Sequence, residues 1–513
     1  MTDIILKNAN VITMDTEQPA AQAVAITGDQ IGLVGSNAEV ESVAGAGTKV
    51  LDCQGKTLVP GFNDAHLHLF SLLKKLLSVD LSPAAVSSIR DIMQAIRRKV
   101  ENAPPGNWIS GTDYNEFYLA EKRFPNRWDI DEVAPDHPVV LSHRSLHACV
   151  LNSLGLKLAG IGTETPEPPG ATIERDPASG EPNGVLYEML NDIRSRLVPM
   201  MTDAELDEAV GMANNLFLSN GITSIQEATY RNDPGRWQTM SKFKETGKLQ
   251  SRVNMMAGTD YWQQFQEMGL NSGSVNDFLR LGAVKIMVTQ TAGKLHPALE
   301  ELKRLALASH QAGFQLAFHA EEKDVIDAVI DVLEYVNGIS PITGRRHRIE
   351  HFAEGAPRLL KRLPALDVVI VNQPPFIYYS GERYLATVDP DILPWMYRIK
   401  SPMDKGLVVA GSSDTPVVPC NPLAGIYAAV ARKTESGQDF YPEEAVSAYQ
   451  ALGMYTRNSA YAAFEENIKG SVSAGKLADM VVLSDDPTKI PTEQIKDIKV
   501  DMTILGGEMV WER

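Results

Sequence analysis

Apolar positions in the first 57 residues fall in short runs with no helical period. Ile4–Leu6, Asn10–Thr13, Ala23–Ile26 and Ile31–Val34 are separated by Gly, Asn and Asp, the usual turn formers. The C-terminal stretch is patterned in the same way, with Asp479–Leu483, then Val500–Leu505, a Gly506-Gly507 turn, and Met509–Trp511. Two strand-rich ends around a long middle predict a small β-sandwich assembled from both termini, residues 1–57 and 465–513. The middle, 58–464, alternates short apolar strands with amphipathic helices such as Leu299–Gln311 and Lys323–Asn337, which favours a parallel sheet.

Eight strand ends can be read in the middle. They are Leu58–Gly61 running into Asp64-Ala65-His66, Thr223–Ile225, Val253–Met255, Val284–Met287, Gln315–His319, Arg348–His351, Val368–Val371, and Val408–Ala410 running towards Asp414. Eight strand–helix units predict an α/β fold of the TIM (β/α)8 barrel type. A doubly wound open sheet shares the alternation, but no GxGxxG or GxxxxGK[ST] supports its nucleotide-binding form. Between the first and second strands lies an insertion, about 70–205, longer than a crossover helix needs. It carries strands of its own at Trp108–Ser110 and Pro138–Leu141, and is expected to form a lid above the barrel mouth.

Composition then narrows the function. The 513 residues are 44% hydrophobic and 22% charged, ordinary for a folded globular protein. The net charge of −17 argues against nucleic acid and anionic membrane as partners, since both attract clustered Lys and Arg. Three cysteines, Cys53, Cys149 and Cys420, make no disulfide framework and no zinc knuckle. With no apolar run near the ~18 residues of a membrane span and no signal-peptide pattern, a cytoplasmic enzyme acting on a small molecule is expected, as a homodimer, the commonest assembly.

The chemistry gathers at the strand ends. In Asp64-Ala65-His66-Leu67-His68 the two histidines stand two apart and share one face of a strand, at the barrel end where such enzymes work. His319 ends FQLAFHA, His351 ends RIEH, and Asp414 follows LVVAGSSD. Four of the ten histidines thus sit at equivalent strand ends, as imidazole ligands of a first-row metal would. Lys285 lies inside the apolar strand GAVKIMV, where an inward ammonium is costly unless paired or modified; as a carbamate it would bridge two metals. His310 reads as a packing or helix-capping residue and His347 as a structural or surface one, while Tyr378, Tyr379, Arg383 and Tyr384 could form a pocket wall.

Together PGFNDAHLHL, PVVLSHRSLHACVLNS, GAVKIM, RHRIEHF, NQPPF, AGSSDTPVVPCNPLAGIYAAV and GSVSAGKLADMVVL resemble the amidohydrolase superfamily, in particular the family 3 branch of N-substituted formamide deformylase-like proteins. The resemblance covers nearly the whole chain. It implies a hydrolase of non-peptide C–N bonds that uses a divalent metal, most simply Zn2+, to activate water. His66 and His68 would bind the more buried ion, His319 and His351 a second, and Lys285 would be the bridging carbamate. Asp414 would be both ligand and catalytic proton shuttle. His147, Glu188, Asn372 and Gln373 would contact substrate, an amide or N-acyl compound. The run Val288-Thr289-Gln290-Thr291 departs from the acidic pair of many relatives, so one ion or two are compatible. A ring-amidine deaminase and a non-catalytic binding barrel are the alternative readings.

Overall fold

The computed structural model describes residues 2–145, 147–168, 170–273, 278–291 and 294–513. Eight parallel strands form one sheet in chain order: β1 (Phe62–Leu67), β2 (Ile222–Glu227), β3 (Arg252–Gly258), β4 (Leu279–Met287), β5 (Leu316–Ala320), β6 (Arg348–His351), β7 (Val369–Asn372) and β8 (Val408–Gly411). The two outer strands meet at the C-terminal rim, where Asp414 N–H donates to His66 C=O at 2.9 Å and His68 N–H to Thr415 C=O at 2.8 Å. The expected TIM-type barrel is therefore the fold. Strands such as Val369–Asn372 are buried along their whole length, which is why they read as unbroken apolar runs. Among the described residues, no helix is long and apolar enough to cross a membrane.

One strand differs from the sequence reading. Leu58 does not run into β1: Thr57–Pro60 is a separate strand, paired antiparallel with Met480–Leu483. The chain changes sheets at Gly61, where a Cβ would stand 2.1 Å from Thr223 Oγ1. Only glycine lets the two backbones approach so closely. Continuous apolar character hid this break.

The terminal β structure has two sheets. One takes Gln30–Gly35, Ala23–Thr27, Ile4–Lys7 and Lys49–Asp52 in that order; the other joins both termini as Glu508–Glu512, Val500–Leu505, Met480–Leu483, Thr57–Pro60, Asn10–Ile12 and Ala20–Ala21. Leu6, Val24, Leu58, Met480 and Ile504 fill the core they share. Barrel and β structure form one compact unit, up to Leu69 and again over Ala213–Arg513. Phe70–Met212 is a second unit. Its six-stranded sheet places Val139–His143 parallel to Ile109–Tyr114 and antiparallel to Ala148–Leu151. Helix Ile89–Val100 turns Ile89, Ile92 and Ile96, at helical spacing, into a core with Val139, Leu141 and Val150.

His310 and His347 are both buried and stack edge to face. His347 Nδ1 accepts the Leu316 N–H at 3.0 Å, which leaves its proton on Nε2, 3.0 Å from His310 Nδ1. His310 Nε2 in turn lies 3.0 Å from Ser340 Oγ. Each ring fits its place only when neutral. Burial, then the neighbouring His310 and Arg345, pushes His347 down to about 3. Unfolded imidazole takes its proton near 6.5, so below that pH the unfolded chain binds more protons than the folded one. The stabilisation is complete above pH ~6.5 and is lost progressively as pH falls toward about 3, at about 1.4 kcal/mol per pH unit for one such group. His347→Asn keeps an acceptor for Leu316 but cannot charge. Melting temperatures from pH 7 to pH 4 should fall less steeply for this variant than for wild type; equal slopes would exclude the role.

Candidate metal centre

The rim of the barrel brings the strand-end residues together. His66 on β1 and His351 on β6 are fully buried, with ring centroids 4.8 Å apart; His319 on β5 stacks against His351 at 4.5 Å, and His68 against His66 at 5.3 Å. Two groups of donors result, His66 with His68 and Asp414, and His319 with Glu321 and His351. Within each group the ligand atoms lie within 4.8 Å of one another. Lys285, inward on β4 and buried, puts Nζ 3.4 Å from His66 Nε2. All six residues expected from the sequence thus converge. Three residues at this rim adopt left-handed backbone conformations without being glycine: His351 (φ 70°), Phe352 (φ 50°) and Asp414 (φ 58°). Strain of this kind persists where the surroundings over-determine it, commonly at functional sites.

Hydrogen bonds decide which imidazole nitrogen faces inward. His66 Nδ1 is 2.5 Å from Glu350 Oε2, a carboxylate that can only accept. His68 Nδ1 is 2.9 Å from Thr229 Oγ1, whose own proton goes to Glu227 Oε1 at 2.5 Å. His351 Nδ1 is 2.9 Å from Gln373 Oε1. In each ring the proton is therefore on Nδ1 and the Nε2 lone pair faces the cluster, that of His66 toward Lys285 Nζ. His351 Nε2 is buried with no hydrogen-bond partner. Asp414 Oδ1 lies 3.0 Å from His68 Nε2 and 3.6 Å from His66 Nε2, yet it makes no hydrogen bond. Buried polar atoms are almost always satisfied, so lone pairs aimed at one another mark a place for a cation.

Charge agrees with this. Burial, reinforced by Lys285 and neighbouring histidines, holds His66 well below the ordinary imidazole value, and burial with His319 and His66 does the same to His351. Burial pushes His319 down to about 3. All three are neutral at pH 7, the form a metal ligand requires. Burial brings Lys285 down to about 8, closer to the free amine that carbamate formation needs. Nitrogen and oxygen donors in this mixture fit a divalent first-row ion.

Gln373 has both amide atoms occupied, by His351 and by Ser412 Oγ at 3.0 Å, so it supports a ligand and is not open to substrate. Asn372 donates to His351 C=O at 3.2 Å, and its Oδ1 is buried without a partner. His147 and Glu188 belong to the second unit, where they are exposed and pair with each other at 2.8 Å. Several contributors escaped the sequence reading. Asp64 accepts from His66 N–H, Ser413 N–H and Ser413 Oγ, tying β1 to the segment that carries Asp414. Glu350, Glu227 and Thr229 back the histidines, and Glu321 adds a carboxylate beside His319. Period-2 spacing could have flagged Asp64, two residues from His66 on the same strand face, and Glu321, two residues past His319 and just beyond its strand.

Known proteins share the family and the fold. A family model described as "Amidohydrolase family" matches residues 49–511. The chain is 32% identical to an N-substituted formamide deformylase of Arthrobacter pascens, over 100% of this chain and 99% of that protein. It is 30% identical to the protein LONG AFTER FAR-RED 3 of Arabidopsis thaliana, over 100% and 92%. A crystal structure of an uncharacterized metal-dependent hydrolase from Pyrococcus horikoshii superposes with TM-score 0.78 at 23% identity, covering 96% of this chain and 99% of that one, and shows the shared fold. With its barrel, its converging imidazoles and a family match over nearly its whole length, the chain belongs to the amidohydrolase family, enzymes that hydrolyse carbon–nitrogen bonds other than peptide bonds.

Proposed function

We propose that this enzyme cleaves an amide or N-acyl bond of a small organic molecule, the class that the name of its Arthrobacter relative exemplifies. The observation that carries the reading is the unpartnered His351 Nε2 and Asp414 Oδ1 among four imidazoles at one rim. His66, His68 and Asp414 would hold one ion and His319, Glu321 and His351 a second. Lys285, as a carbamate formed by attack of its free amine on carbon dioxide with loss of a proton, would bridge them. Zinc suits these donors best, being content with imidazole and carboxylate together.

A divalent ion bound there supplies Lewis acidity and lowers the pKa of water from 15.7 toward about 7. The chain's own residues do the rest. The Asp414 carboxylate takes a proton from the attacking water and returns it to the departing nitrogen, so that an amine and a carboxylic acid leave. The Asn372 amide oxygen can accept a substrate N–H. The outward hydrogen bonds of His66, His68 and His351 keep the rings from turning as charge shifts.

The test couples elemental analysis of purified protein to a panel of N-formyl and N-acyl amines. We expect bound divalent metal and release of amine plus acid. Dialysis against a chelator should reduce turnover to background, and zinc should restore it. Ammonia released from ring amidines, with no amide cleaved, would transfer the enzyme to the deaminases.

A further inference from the structure

We propose that Glu350 is the positioning residue of this centre: it fixes the proton of His66 on Nδ1 and so presents the Nε2 lone pair to the metal. Glu350 precedes the ligand His351 on β6 and shares a strand face with Arg348, two residues away. The left-handed backbone at His351 (φ 70°) breaks the alternation, so Glu350 and His351 both reach the His66 ring. Its carboxylate is wholly buried, and Oε2 lies 2.5 Å from His66 Nδ1. β1 and β6 are not neighbours in the sheet, so this contact joins distant barrel strands.

Arg348 explains how a carboxylate can be kept there. Its guanidinium donates to Glu350 Oε1 at 2.7 Å and to Oε2 at 3.2 Å, to Gln226 Oε1 at 2.5 Å, and to the Ala65 carbonyl at 2.7 Å. Ala65 is the residue before His66. The same arginine therefore aims the carboxylate and anchors the backbone that carries its target. The other two oriented histidines meet neutral acceptors, a threonine hydroxyl and a glutamine amide. Only His66 is backed directly by a carboxylate, which makes it the strongest donor of the three. The ion held by His66, His68 and Asp414 should consequently be the tighter one, and Glu350 should set that difference.

The inference rests on the metal reading proposed above. Zinc affinity of chelator-stripped protein, measured by competition with a chromophoric chelator, would be compared between wild type and Glu350→Gln, together with the visible spectrum of the Co2+ form and the melting temperature without metal. A glutamine can turn its NH2 toward His66 and force the proton onto Nε2. We expect the tighter site to weaken about 10- to 100-fold, with an altered Co2+ spectrum. Because Glu350→Gln leaves Arg348 buried without its counter-charge, the double variant Arg348→Gln/Glu350→Gln is the second arm. It should fold and still lose the affinity. A merely structural Glu350 would lower the melting temperature of the metal-free protein while affinity and spectrum stayed at wild-type values, and that result in either folded variant would overturn the proposal. Wild-type protein that takes up no zinc would overturn the metal reading itself, and this inference with it.

Discussion

Replacing Asp414 by Asn should lower kcat about 10²- to 10⁴-fold while KM changes only a few-fold. The asparagine retains an oxygen at the place of Oδ1, which stands 3.0 Å from His68 Nε2, so the donor set loses little of its shape. What disappears is a base able to take a proton from water and deliver it to the leaving nitrogen. The segment carrying residue 414 is held independently of its side chain, by Asp414 N–H to His66 C=O and by Ser413 to Asp64. The variant should therefore fold with near-normal metal content. Steady-state kinetics beside elemental analysis decide the matter. Undiminished turnover refutes the shuttle, and a raised KM at full kcat would make Asp414 a binding group.

The largest loss of stability is expected from Asp479→Ala. Asp479 lies in the C-terminal run GKLADMVVL, before the strand Met480–Leu483. It accepts from Arg252 Nε at 2.6 Å and NH2 at 2.9 Å, and from Gly506 N–H at 2.9 Å. Arg252 opens β3 and is 1% exposed. The pair therefore joins the barrel to the terminal β structure through a dry contact. Removing Asp479 takes the counter-charge from a buried guanidinium, which keeps its contact with the Phe278 ring at 4.7 Å, at about 3–5 kcal/mol. Urea titration should show the corresponding fall in midpoint. The double variant Arg252→Met/Asp479→Leu should recover most of it, because two apolar groups leave no charge uncompensated. A single variant within about 0.5 kcal/mol of wild type would show the pair to be unimportant.

These two residues differ in how visible they are in the chain. Asp414 follows a strand whose apolar run and terminal Gly-Ser-Ser are legible, and its chemistry can be anticipated from place alone. Asp479 also stands in a readable motif, but its partner is 227 residues away. Nothing in the local pattern names Arg252.

The same division runs through the whole molecule. Local patterning determined the eight strand ends and their order, because short apolar segments alternate with helical ones along the middle of the chain. It also determined which ends carry histidine, since alternation along a strand assigns a side chain to a face without knowledge of the neighbours. Two kinds of fact lay outside its reach. The break at Gly61 depends on how near Thr223 comes, a distance set by packing between strands far apart in sequence. The partners of the ligands, Glu350 behind His66, Thr229 behind His68 and Gln373 behind His351, depend on which side chains meet when the barrel closes. A hydrogen bond needs atoms within about 3 Å, and only the closed barrel brings residues 284 positions apart to that distance.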